Sequence, residues 1–235
     1  MVKRFNKCLI TAMLLVIAGV SLADSKMPAD QKSMESAKRW EKVMADFRNW
    51  DSENTFPENG ILFVGSSSIN LWKTRECFPD LPVINRGFGG SIYSDIIYWA
   101  DTLIKPYNPK VIVLYSGDND PYWGKSPERI SSDFDALYST IREIYPNVDV
   151  IVMATKMSQS RADRSGDFAE ANQMLKQTAE KEDKLYYFDA ASILFGKDGK
   201  PDPKLYREDK LHLNDAGYKI WTDNIRVLID KLLSE

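Results

Sequence analysis

Ile61-Leu62-Phe63-Val64-Gly65-Ser66-Ser67-Ser68 decides the architecture of this chain. A short apolar run that stops in a glycine and serines suits a strand buried on both faces, and such strands belong to parallel sheets covered by helices. In open α/β sheets, ligands sit beyond the carboxyl ends of the strands. A hydroxyl placed there is a candidate nucleophile. The plainer alternative is a polar turn that caps a helix, the commonest use of serine after a strand.

Outward from this stretch the pattern repeats. Val83-Ile84-Asn85, Val111-Ile112-Val113-Leu114-Tyr115, Val148 to Ala154 and Leu185-Tyr186-Tyr187-Phe188 read as four further strands. Amphipathic helices are expected over residues 29–50, 91–104, 127–145 and 167–182, with a last one following Leu213-Asn214-Asp215. Trp40 and Phe47 fall at core spacing in the first of these and are assigned no function. Five strands alternating with helices over short loops predict an α/β protein, a three-layer α/β/α flavodoxin-like fold with a central five-stranded parallel sheet.

With 235 residues and no composition break, residues 24–235 are expected to form one domain. Residues 1–23 read as a secretory signal peptide: Lys3, Arg4 and Lys7 precede an apolar run from Cys8 to Val20, and Ser21 and Ala23 suit cleavage before Asp24. The expected location is therefore exported, periplasmic or secreted, without stable membrane insertion after cleavage. An uncleaved anchor is the alternative. Removing the leader leaves Cys77 as the one cysteine, so no intramolecular disulfide can form.

The chain has 31 basic and 34 acidic residues, and the leader carries only basic ones. An acidic exported domain without a basic stripe is a poor partner for nucleic acid or anionic membranes. Small or neutral substrates fit better. One histidine and one remaining cysteine cannot assemble a zinc-type ligand cluster, so no metal and no cofactor is expected. Oligomeric state is not legible.

The polar residues that follow the strands gather on one rim: Ser67, Gly90, Asn119, and Asp209 with His212. In these blocks the chain resembles the SGNH hydrolases, the GDSL-type esterases and lipases, over nearly the whole exported region. Phe63-Val64-Gly65-Ser66-Ser67 lines up with the family's first block, Asn85-Arg86-Gly87-Phe88-Gly89-Gly90 with the second, Gly117-Asp118-Asn119-Asp120 with the third, and Asp209 to His212 with the last. One departure is Ser66, which stands where the family has aspartate. It leaves the choice among Ser66, Ser67 and Ser68 open, with Ser67 favoured by register.

The resemblance implies a Ser67, His212, Asp209 triad and an oxyanion hole from Ser67, Gly90 and Asn119. A serine hydroxyl needs a base to take its proton, and His212 is the only imidazole in the chain. Tyr93, Tyr122, Trp123 and Arg161 lie in or beside rim loops and are candidate substrate-binding residues; rings stack on sugars and an arginine can hold a carboxylate. They are read equally well as partly buried loop anchors. The expected activity is hydrolysis of acyl esters, short-chain or O-acetyl, on a small molecule or carbohydrate, with acyl transfer to another acceptor as a variant. The competing class is a non-catalytic carbohydrate or small-molecule binding protein on the same fold, and Ser66 is its best support.

Overall fold

Short apolar strands between amphipathic helices have one economical solution, a sheet whose two faces are both covered. The computed structural model describes residues 36–234 and adopts it. Strands β1 (Ile61–Gly65), β2 (Val83–Gly87), β3 (Val111–Tyr115), β4 (Asp149–Met153) and β5 (Leu185–Phe188) lie in the order β2-β1-β3-β4-β5. Every neighbouring pair is parallel. This is the flavodoxin-like strand order, and the chain is a three-layer α/β/α protein. The expected leader, residues 1–23, lies outside the described residues.

Alternate side chains of each strand enter different layers. Leu62, Val64, Ile112, Leu114, Val150 and Val152 face one core, shared with α1 (Glu41–Glu53), α4 (Tyr93–Tyr98), α5 (Ala100–Leu103), α6 (Pro127–Ile144) and α7 (Ser165–Ala179). Ile61, Phe63, Val111, Val113, Ile151 and Met153 face the other. There they meet α2 (Ser67–Asn70), α3 (Thr74–Cys77) with Phe78 behind it, and α8 (Asp215–Ser234). β1, β3 and β4 are buried along their whole length, which is why they read as apolar runs rather than alternating ones, with Asp149 at the start of β4 the one charged residue among them. Within this second layer Trp72, Tyr115 and Trp221 pack ring against ring, and the Trp221 indole donates to the Ala190 carbonyl at 2.8 Å.

Two helices differ from expectation where they meet the N-terminal segment or belong to it. The helical spacing over 91–104 resolves into α4 and α5, parted at Trp99, whose φ of −99° and ψ of 14° leave the helical region. Its indole N–H donates to the Ala37 carbonyl at 2.9 Å, a contact to the N-terminal segment that the local pattern does not encode. The first helix opens as a tight turn at Lys38–Trp40 and runs on to Glu53, beyond the expected end at Trp50. Among the described residues no helix is long and apolar enough to cross a membrane.

Strand order reverses at β1, which has β2 on one side and β3 on the other. The crevice beyond the carboxyl ends of β1 and β3 is the topological switch point, the place where such sheets bind ligands. The serine turn after Gly65 and the Ser116–Asn119 turn both open onto it.

Candidate active site

Gly65 makes the first turn possible. A Cβ on this residue would lie 1.9 Å from the Tyr115 carbonyl oxygen, so any side chain would push β1 off β3 at its end. With the strands in register, the Ser66 N–H reaches the Tyr115 carbonyl at 3.0 Å and the chain turns directly into α2. Ser66 and Ser68 are buried, while Ser67 stands at the first helical position, partly buried. Its N–H has no helical carbonyl to bond, which leaves it free to meet an anion.

His212 arrives from the other end of the chain. Residues 206–213 form a narrow hairpin in which Tyr206 bridges Leu213, Arg207 N–H donates to the His212 carbonyl at 2.8 Å, and Arg207 Nε donates to the Leu213 carbonyl at 3.0 Å. Lys210 closes it with φ at 56°. The imidazole Nε2 lies 2.9 Å from Ser67 Oγ, and Nδ1 lies 2.6 Å from Asp209 Oδ2. Of the three serines in the turn, Ser67 is the one that meets the imidazole.

Asp209 accepts more than the ring. Its Oδ1 takes the N–H groups of Leu211 and His212, each at 2.9 Å. Partial burial alone would raise this carboxyl, but the ring and backbone donors outweigh it and hold Asp209 at about 2. An ionised carboxylate on Nδ1 keeps the Nδ1–H tautomer, and Nε2 then has the lone pair that a hydroxyl proton needs.

The second and third turns are tied to the first. Phe88 N–H donates to the Gly65 carbonyl at 2.9 Å, and a Cβ on Gly89 would lie 3.8 Å from the Ser67 Cβ. Gly90 follows with φ at 79°, a left-handed conformation that favours glycine. Asn119 Nδ2 donates to the Ser91 carbonyl at 2.9 Å, and its Oδ1 accepts from Arg161 Nη2 at 2.8 Å. One Nδ2 hydrogen remains for a ligand.

Asp118, Lys156 and Trp40 were not among the site residues expected from sequence. The Asp118 carboxylate accepts from Ser66 Oγ at 3.1 Å, from Tyr115 Oη at 3.3 Å and from Lys156 Nζ at 3.3 Å, all in the interior. Burial would raise Asp118, yet the charges of Lys156 and Arg161 prevail and keep it below the usual carboxylate range. Burial in turn pulls the Lys156 ammonium down, against the opposing charge of Asp118. Ser66, which stands where the family pattern has aspartate, is thus hydrogen-bonded to a carboxylate from the third block. Trp40, read as a core residue, reaches to 3.5 Å from where a Gly90 Cβ would sit, so the N-terminal segment borders the site. The lysine three residues past the end of an apolar strand was the one available hint of a buried ion pair; nothing in the local pattern marks Trp40.

The expected substrate-binding residues part company. Tyr93 does not reach the rim: it is fully buried, its ring 5.9 Å from that of Phe134 in the core beneath the third turn. Its spacing with Ile96 puts it on the inward face of α4. Tyr122 and Trp123 are half exposed at the rim, with the Arg161 guanidinium 4.8 Å from the Tyr122 ring and that of Arg39 4.5 Å from the Trp123 ring. Arg161 spends two of its donors inside the protein, on the Asp118 carbonyl and on Asn119.

The sequence pattern of the GDSL-like lipase/acylhydrolase family matches residues 71–220, more than half of the chain. The chain belongs to that family. The match begins just after Ser67, so the first block joins the site by geometry rather than by the matched segment. Three solved structures share the fold of this family member. A Streptococcus pneumonia protein named as a candidate platelet activating factor superposes with a TM-score of 0.73 at 18% identity, over 86% of this chain and 99% of its own. A proposed acylhydrolase from Bacteroides fragilis gives 0.67 at 20% identity, over 83% and 96%. A family 3 carbohydrate esterase from Clostridium thermocellum gives 0.62 at 19%, over 76% and 98%. No curated protein matches the sequence.

Proposed function

We propose that this GDSL-family chain is an exported serine esterase that hydrolyses short acyl esters, O-acetyl esters of carbohydrate among them. One observation carries the proposal: Ser67 Oγ, His212 and Asp209 form an unbroken hydrogen-bonded line of 2.9 and 2.6 Å at the sheet's switch point.

In the mechanism, His212 Nε2 takes the Ser67 proton as Oγ attacks the ester carbonyl carbon. The carbonyl oxygen gains the negative charge and is received by the N–H groups of Ser67 and Gly90 and the free Nδ2 hydrogen of Asn119. Collapse expels the alcohol, which leaves with the proton from His212, and the acyl group remains on Ser67. Water, deprotonated by His212, then attacks the acyl-enzyme and releases the acid and Ser67. Asp209 stabilises the transient imidazolium throughout.

Two features favour small acyl groups and a sugar alcohol. Trp40 closes one side of the Gly90 turn, and Tyr122 and Trp123 offer ring faces at the rim. The carbohydrate esterase among the similar folds is consistent with this choice. A binding protein on this fold drew its support from Ser66, but Ser66 is engaged with a buried carboxylate and the hydroxyl beside it faces a base.

A fluorophosphonate probe tests the reading: it should label the wild type at Ser67 and fail on Ser67→Ala and His212→Ala. A folded, unlabelled wild type would instead favour a binding protein. Model esters of rising chain length test the acyl preference, and cleavage of long-chain but not acetyl esters would overturn it. Export predicts a mature N-terminus at Asp24, read by N-terminal sequencing of protein recovered outside the cytoplasm.

A further inference from the structure

We infer that Arg161 is a positioning residue for the oxyanion hole, holding the Asn119 amide in its donating orientation, rather than a clamp for a substrate carboxylate. The inference rests on the esterase reading above and deepens it.

The guanidinium spans two consecutive residues of the third turn. One Nη donates to the Asp118 backbone carbonyl and the other to Asn119 Oδ1 at 2.8 Å. A planar fork with fixed spacing suits two acceptors on one short turn, and the Tyr122 ring, 4.8 Å from the guanidinium carbon, supports its flat face. On the far side of the amide, Nδ2 donates to the Ser91 carbonyl. A flipped Asn119 would turn its NH2 toward the cation and its oxygen toward a carbonyl, so both contacts select the same orientation. A cation on Oδ1 also draws electron density from the amide and makes the remaining N–H a stronger donor to an oxyanion.

Placement of the arginine joins the site's halves. Arg161 lies in the tight helical segment Gln159–Arg164, where its own φ of −127° departs from helical values. The neighbouring Ser160 N–H donates to the Lys210 carbonyl at 3.2 Å, in the hairpin that carries His212. One segment therefore contacts both the turn that bears the amide donor and the loop that bears the base.

The test is a double-mutant cycle on kcat and KM with a neutral acetyl ester and an ester bearing a carboxylate. Loss of an oxyanion donor costs about a hundred- to a thousandfold, and a misplaced one less, so Arg161→Ala should lower kcat roughly ten- to fiftyfold on both substrates with KM nearly unchanged. In the Asn119→Ala background the same change should cost less than about twofold, the sign of strong coupling. Arg161→Gln serves as the second variant should Arg161→Ala unfold, with the same expected coupling. A rise in KM confined to the acidic ester, or losses that multiply in the double variant, would overturn the inference. An inactive and unlabelled wild type would be a different failure, that of the esterase reading itself.

Discussion

Ser66 Oγ donates to the buried Asp118 carboxylate at 3.1 Å, so the serine that stands where the family pattern has aspartate is tied to a carboxylate of the third turn. The hydroxyl links the nucleophile turn to the third turn, and Lys156 balances the charge that such a link brings into the interior. Restoring the family aspartate here should therefore do harm. Ser66→Asp would set a second carboxylate against Asp118 in a space with one lysine, and an uncompensated buried charge costs about 3–5 kcal/mol. We expect a large drop in Tm and in activity, with recovery of much of both in Ser66→Asp/Asp118→Asn. Thermal melts of the three variants check this, and a neutral Ser66→Asp would refute it.

Asn119→Ala removes one proposed oxyanion donor while leaving the core untouched. The expected result is a folded protein with kcat lower by about a hundred- to a thousandfold and little change in KM. Steady-state kinetics beside a circular-dichroism melt separates this from unfolding. Near-normal turnover would remove Asn119 from the mechanism.

Asp209 is held at about 2 by the His212 ring and the two N–H groups, against partial burial. A carboxylate lowered in the fold adds stability that is present above its unfolded value and lost as pH falls through about 2. Across ordinary assay conditions Asp209 therefore does not titrate, and any acid limb of the rate profile belongs to another group. Asp209→Asn keeps the shape but releases the tautomer of His212, and kcat should fall by roughly a thousandfold or more. A pH-rate profile of both proteins tests the two statements together.

The parts legible in the sequence are those written locally. Apolar runs in β1 and β3, and in β4 after Asp149, announce a sheet covered on both faces, and the turn residues after them announce one rim. What escaped depends on partners distant in the chain. Tyr93 has the composition of a rim residue, but its neighbours Asp95 and Ile96 lock α4 so that the ring turns inward; the Asp95 carboxylate takes the Ile92 N–H at 3.1 Å and the Trp40 indole at 3.2 Å. Trp40 borders Gly90 through that same aspartate. The partner of Lys156 is no neighbour in the sequence, because its carboxylate lies 38 positions earlier. Arg161 was marked, but its acceptors inside the protein are not a sequence property.

Gly90 tests whether conformation or space matters at the second turn. Its φ of 79° disfavours a side chain, whereas a Cβ would meet only the Trp40 ring edge at 3.5 Å, an ordinary contact. Gly90→Ala should thus fold, losing about 1–2 kcal/mol to the left-handed backbone. Its kcat should fall further than its stability implies, because relaxing the turn moves the N–H aimed at the oxyanion. Gly65→Ala is the contrasting case: with 1.9 Å to the Tyr115 carbonyl no accommodation exists, and soluble folded protein should not be recovered. Equal behaviour of the two variants in expression and melting would contradict this account.

Asp120, the last residue of the third block, predicts a pH effect on stability separate from catalysis. Burial raises its carboxyl to about 6, against the pull of Lys125, whose ammonium lies 3.2 Å from Oδ1 and is shared with Asp133 at 2.7 Å. Oδ1 also accepts the Tyr93 N–H at 3.4 Å, while Oδ2 has no partner among the described residues. A group raised in the fold contributes stability that is full below its unfolded value of 3.8 and is lost as pH rises through about 6. Asp120→Asn keeps the Oδ1 acceptor and abolishes the titration. The stability of the variant relative to wild type should therefore improve between about pH 4 and pH 7, by roughly 3 kcal/mol on the linkage slope. Urea melts of both proteins at pH 4, 5.5 and 7 measure the trend; a difference that is flat, or that runs the other way with pH, would show that Asp120 stays ionised in the fold, paired with Lys125.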